Sequence, residues 1–128
     1  MDPTRTIAGG TYILDAVQAV APVPDLMLTW PGDFPYNGSL AGNTSNQVVK
    51  VSGMNPNSSH TVSLTALSDD FHLRVYSDSY LTLQLCASEN GGTLDELCSV
   101  SANVLGSLYL LIDSSATAAG GTYTLNVQ

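Results

Sequence analysis

Apolar and polar residues alternate along this chain in short bursts, and the bursts are separated by clusters of Gly, Pro, Asn or Ser. A period of two puts one set of side chains on one face of a strand and the other set on the opposite face. The last ten residues are the clearest case: after Gly120-Gly121, the residues Tyr123, Leu125 and Val127 alternate with Thr124, Asn126 and Gln128. His60 to Ala66 follows the same rule, with Val62, Leu64 and Ala66 predicted inward and Thr61, Ser63 and Thr65 outward. Phe71, Leu73 and Val75 form a further set, and Leu81, Leu83 and Leu85 lead into Cys86. Gln47–Ser52 and Leu97–Ser101 read as strands. Leu108–Asp113 is nearly all apolar, the pattern of a central strand covered on both faces. Leu26, Leu28 and Trp30 suggest a short strand, closed by Pro31-Gly-Asp-Phe-Pro-Tyr-Asn-Gly38, where two prolines and two glycines predict a loop. Short strands, turn signals such as Gly53–Ser59 and the lack of a long amphipathic helix predict an all-β fold, an antiparallel β-sandwich.

The closing phrase is written twice. Ala8-Gly-Gly-Thr-Tyr-Ile-Leu14 matches Ala119-Gly-Gly-Thr-Tyr-Thr-Leu125 at six of seven positions. The copies lie a domain's length apart, so the chain reads as one unit preceded by a strand shaped like its own last strand. Gly10–Gln18 has Tyr12 and Leu14 in the places of Tyr123 and Leu125, before an extra residue at Ala16 breaks the register. Thr11–Ala21 could also form a short helix. Left alone, such a strand would expose apolar side chains and free backbone groups. It is expected to pair, first on its own sandwich, because consecutive elements usually neighbour each other, or else on a neighbouring copy.

Composition narrows the class. Hydrophobic residues make up 44% of the 128, enough for a core, while only 11% are charged, against roughly 25% in an ordinary soluble domain. Solubility then rests on Ser, Thr, Asn and Gly, a balance that suits secreted all-β modules. Three basic residues face eleven acidic ones, a net charge of -8 that repels phosphate backbones and argues against nucleic acid as a partner. No run approaches the ~20 apolar residues of a membrane span, and no signal peptide is visible at Met1-Asp-Pro-Thr-Arg5. Cys86 and Cys98 enclose a loop containing Gly91-Gly92, which predicts a disulfide across a hairpin and an oxidising compartment. Two buried thiols in a cytosolic protein are the alternative.

From Ser39 onward the chain resembles the bacterial pre-peptidase C-terminal domains. Ser68-Asp-Asp-Phe-His-Leu-Arg-Val-Tyr76 is similar to their Asp-x-Leu-x-Val strand. Cys86 and Asp95-Glu-Leu-Cys98-Ser-Val resemble their paired cysteines, and Gly106–Asp113 followed by Gly120–Val127 their final two strands. The resemblance implies a jelly-roll-like sandwich, non-catalytic, attached to a secreted peptidase or another exported protein; some relatives bind collagen or calcium. It divides the chain into an N-terminal strand with a Pro/aromatic linker, residues 1–38, packing on the domain or a neighbour, and the sandwich, residues 39–128. Functions placed on the first part gain nothing from it.

Catalytic signatures are sparse. No His-Glu-x-x-His run and no Gly-x-Ser-x-Gly elbow occurs, and His60 and His72 are expected on different strands, His72 facing away from Phe71 and Leu73. Carboxylates are better candidates: if the Asp69/Asp70 and Asp95/Glu96 loops meet at one end of the sandwich, their oxygens could hold Ca²⁺. Solvated loop acids, with no metal or other cofactor, are the simpler expectation. Trp30, Phe34 and Tyr36 carry a third of the chain's aromatics and could present rings to a sugar or an extended protein chain, or plug an open end of the sandwich. Asn37-Gly-Ser, Asn43-Thr-Ser and Asn57-Ser-Ser fit the N-glycosylation pattern. The chain is therefore expected to be extracellular and not an enzyme, an accessory or binding module of an exported bacterial protein such as a secreted hydrolase. Its partners would be the parent's catalytic domain or an extracellular protein or polysaccharide. The alternative is a self-assembling filament or surface-layer subunit that donates its N-terminal strand to neighbouring subunits.

Overall fold

The computed structural model describes residues 23–42, 45–115 and 118–128. The repeated strand Gly10–Gln18 and the sequon residue Asn43 lie outside them. The described residues form nine strands and no helix: β1 (Leu26–Thr29), β2 (Tyr36–Ala41), β3 (Asn46–Ser52), β4 (Ser59–Thr65), β5 (Phe71–Tyr76), β6 (Gln84–Ser88), β7 (Glu96–Ser101), β8 (Leu108–Ser114) and β9 (Gly120–Val127). A four-stranded sheet has the order β2-β9-β4-β7 and a five-stranded sheet the order β1-β3-β8-β5-β6. Every described pairing is antiparallel except β1 with β3. From β3 onward the chain passes repeatedly between the sheets, giving the sandwich that the alternation predicts and the jelly-roll-like form that the family resemblance implies.

The core is the meeting of the inward rows. Val62 and Leu64 of β4 and Tyr123, Leu125 and Val127 of β9 form one core cluster with Val49 and Val51 of β3, Leu73 and Val75 of β5, and Leu108, Leu110 and Ile112 of β8. The ring of Phe71 meets that of Tyr123 edge to face, with centroids 6.4 Å apart. The Tyr123 hydroxyl, pushed up to about 12 by burial and by Tyr36, donates to Gln47 Oε1 at 2.5 Å.

Four expectations need correction. Tyr36–Gly38 is not loop but the start of β2, pairing with β9 through Leu125↔Tyr36, so the boundary drawn at residue 38 falls inside a strand. β1 is the edge strand of the five-stranded sheet. Ala66 does not point inward: it stands exposed just after β4 at φ 53°, where the chain leaves the strand. Leu81 sits in a turn at φ 59°, and Leu83 and Leu85 face solvent, because Asp78 gathers the Thr82 and Leu83 amides at 2.9 Å and holds the segment as a loop until Gln84. β8 is central, but only its inward side is sealed; Tyr109, Leu111 and Asp113 on the other face are half-buried.

The Gly-Gly before β9 has a local cause. Gly120 has φ +103°, and at Gly121 a side chain would meet Ser68 Oγ at 2.1 Å. That hydroxyl accepts the Thr122 amide at 2.8 Å. Gly106 is more constrained still: at φ +71°, an added Cβ would lie 2.1 Å from the Met54 carbonyl oxygen. The same residue's carbonyl accepts the Met54 amide at 3.1 Å. Gly106→Ala is therefore expected to cost at least about 2 kcal/mol, read as a Tm lowered by roughly 8 °C in a thermal melt.

Candidate functional site

The two cysteines are joined, with Cα atoms 5.9 Å apart. The bond is not the expected hairpin bridge. Cys86 is on β6, the edge of the five-stranded sheet, and Cys98 on β7, the edge of the four-stranded sheet. It therefore ties one sheet to the other along a single rim of the sandwich. Ser88 Oγ accepts the Leu97 amide at 3.1 Å and reinforces the crossing.

Beside this bond lies a buried acid. Glu96 was expected as a solvated loop residue; it is instead the first residue of β7, in the inward row with Cys98 and Val100, and fully buried. Its Oε1 accepts from Ser88 Oγ at 2.7 Å and from the Asn90 amide at 2.9 Å, while Oε2 has no hydrogen-bond partner among the described residues. Burial pushes its pKa up; the two hydrogen bonds and the nearby His72 oppose this, and Asp70 adds to it.

The other acids do different work. Asp69 accepts the Ala119 and Gly120 amides at 2.8 and 3.1 Å and the Asp70 amide at 2.8 Å, so it anchors the start of β9 and its carboxyl is held below the usual range. Asp70 has one buried oxygen without a hydrogen bond, 3.3 Å from His72 Nε2. His72 also lies 3.6 Å from Asp113, which with Glu89 pairs Arg74. Asp95 is exposed. Thus Asp70 and Glu96 come near enough to sense each other, but Asp69 and Asp95 do not join them. Among the described residues no three His, Cys, Asp or Glu side chains are grouped as cation ligands.

The aromatic candidates pack partly buried against the core. Trp30 Nε1 donates to the Val127 carbonyl at 2.9 Å, linking the end of β1 to the end of β9, and its ring meets His60 edge-on at 4.9 Å. Trp30 thus helps plug one end of the sandwich. The prolines and glycines of residues 31–38 predicted a loop around Phe34 and Tyr36, and nothing in the sequence announced His60 as the partner of Trp30.

One constellation escaped the sequence: Ser58 Oγ lies 2.6 Å from His60 Nε2. A nucleophilic pair needs the hydroxyl to donate to the imidazole. Ser58 Oγ donates to the Asn55 carbonyl at 2.5 Å. The other ring nitrogen of His60 faces the Gln128 carbonyl at 3.2 Å, not a carboxylate, so the orienting acid of a nucleophilic triad is missing from this contact.

No family model matches the chain, and no curated protein does. Among solved structures, the pre-peptidase C-terminal domain of a collagenase from Bacillus anthracis superposes with a TM-score of 0.62 at 15% identity, covering 84% of this chain and 98% of that one. At that identity the likeness establishes the fold and nothing finer.

Two measurements test the rim. Intact mass under denaturing, non-reducing conditions should show no alkylated thiol until reductant is added, and Cys86→Ala with Cys98→Ala should lower stability by about 3 kcal/mol, the loop-closure value for cysteines 12 residues apart. For Glu96, the raised pKa means that the folded state holds more protons than the unfolded one between the ordinary carboxylate pKa and the folded value. Stability from this group is therefore full at acid pH and falls as pH rises through the folded value. Glu96→Gln keeps the Oε1 acceptor and removes the charge. The Tm difference, variant minus parent, is expected to grow from pH 5 to pH 8; a flat difference means Glu96 stays ionised throughout.

Proposed function

We propose that this chain is a non-catalytic accessory module of an exported bacterial protein, in the first instance a secreted hydrolase, supporting its stability, its export or its engagement of substrate. The observation that carries this reading is the sandwich itself, aligned over nearly the whole of a domain described as part of a collagenase. The disulfide supports export, since such a bond persists in oxidising compartments. Among the described residues no helix is long and apolar enough to cross a membrane. The non-catalytic reading is supported by the histidines: His60 lies between Ser58 and the Gln128 carbonyl, with Trp30 edge-on to its ring, and His72 is flanked by Asp70 and Asp113.

The purified chain is expected to hydrolyse no peptide, ester or glycoside reporter and to co-sediment with an insoluble extracellular polymer when offered fibrillar protein and neutral polysaccharide. Turnover of a reporter that purifies with the chain would overturn the non-catalytic reading. Failure to partition onto either polymer would remove substrate engagement and leave stability or export as the module's contribution.

A further inference from the structure

The four-stranded sheet has a second face, turned away from the core. Along β2, β9, β4 and β7 its outward places are taken by Ser, Thr and Asn, apart from Ala41, Gly120 and Leu97. Strand pairing sets these side chains in rows. Asn37, Thr124 and Thr65 stand opposite one another, Thr61 stands opposite Ser99, and Ser59 opposite Ser101. Places in a row are roughly 4.8 Å apart, and along β4 the pattern runs from Ser59 to Thr65, about 20 Å. The hydroxyls of Ser59, Thr61, Ser63, Thr65, Ser99 and Ser101 make no hydrogen bond to another described residue.

No charge reaches this face. The four strands hold a single Asp, Glu, Lys or Arg, which is Glu96, and it is buried on the inward side. The other sheet differs, because its outer face carries Lys50, His72, Arg74 and Asp113. A chain of net charge -8 thus keeps one broad face on which a neutral partner meets no repulsion. The face is also hollowed. A groove of about 620 Å³ lies over β4 and β7, lined by Ser59, Thr61, Ser99 and Ser101, with Leu85 and Gln128 alongside. A second, of about 530 Å³, is lined by Asn37, Ser39, Thr122 and Thr124 on β2 and β9.

We propose that the outer face of the four-stranded sheet binds a neutral polysaccharide, seated first in the groove over β4 and β7. Ser and Thr hydroxyls and the Asn amide both donate and accept, as sugar hydroxyls do, so the two surfaces match group for group without charge. Leu85 offers the C–H side of a sugar ring an apolar contact at the same groove. The other classes of partner fit less well. An anionic polymer finds no base on this face and eleven acids in the chain. An extended peptide cannot add as a strand, because β4 and β9 are paired on both sides. A folded protein is held by aromatic, Arg or other large anchors, and here the outward places supply Leu97 alone. Such binding rests on the accessory-module reading and names the class of polymer that the module engages.

Co-sedimentation of the full chain with insoluble cellulose, chitin and starch granules tests it, beside carboxymethylated cellulose and fibrillar collagen. The chain is expected to bind at least one of the three neutral polymers, equally well from about 0.1 M to about 1 M salt, because no ion pair contributes. Thr61→Asp with Ser99→Asp puts two carboxylates in the groove and should weaken that binding by roughly tenfold or more. Thermal melts check that this variant folds, and Thr61→Val with Ser99→Ala, which removes the hydroxyls without adding charge, replaces it should it unfold. Lys50→Ser, on the other sheet, should bind as the parent does. Retention on none of the neutral polymers overturns the proposal, and so does retention that the groove variants keep. Preference for carboxymethylated cellulose over cellulose overturns it as well. Binding to collagen alone, lost in the groove variants, overturns it in favour of a protein partner and leaves the accessory-module reading standing. Turnover of a reporter, which would overturn that reading, is measured apart from retention, so the two failures are told apart.

Discussion

Tyr123, Leu125 and Val127 sit on the strand between β2 and β4, and their burial between the sheets is what the sandwich depends on most. Side chains of this size contribute about 1.5–3 kcal/mol each when fully buried, so this strand alone supplies a large part of the driving force for closing the sheets. The rest of the molecule holds it in register. Asp69 and Ser68 grip its first amides, and Thr61 and Gln128 exchange backbone bonds of 3.0 and 2.9 Å at its far end. Trp30 adds a bond from the end of β1 to the Val127 carbonyl. Each of these reaches across more than thirty residues of sequence, so the strand is positioned by tertiary contacts at both ends.

The opposite character prevails at the β6/β7 rim. There the inward row includes a carboxylate, Glu96, where a core residue would otherwise stand, and the outward row includes leucines. The disulfide compensates by joining the two edges covalently, and Ser88 satisfies both Glu96 Oε1 and the Leu97 amide. A rim held by one covalent bond and a few polar contacts can keep its outer surface apolar without collapsing inward.

Much of this could be read from the residues in order. Period-two alternation identified β4, β5 and β9, because each has one face on the core and one toward water, and the Gly and Asn clusters located their turns. The disulfide pair and the all-β sandwich were legible for the same reason: both follow from local spacing and from composition. Alternation misled where a strand's environment departs from one wet and one dry face. Leu83 and Leu85 carry the inward pattern but border an edge over which no described residue packs to bury them. Glu96 reads as a loop acid ahead of the strand but begins β7 and joins its inward row.

What the sequence determined by itself was most of the strands, the inward rows of β4 as far as Leu64, of β5 and of β9, and the pairing of Cys86 with Cys98, since these depend on neighbours within a few residues and on there being only two cysteines. Only the tertiary structure decided which strands share a sheet. That assignment turns the disulfide from a hairpin bridge into a tie between two sheets and places β1 and β6 at opposite edges. The physical reason is that sheet order is set by pairings between residues far apart along the chain, whose free energy depends on every neighbour they acquire, and no local pattern records those neighbours.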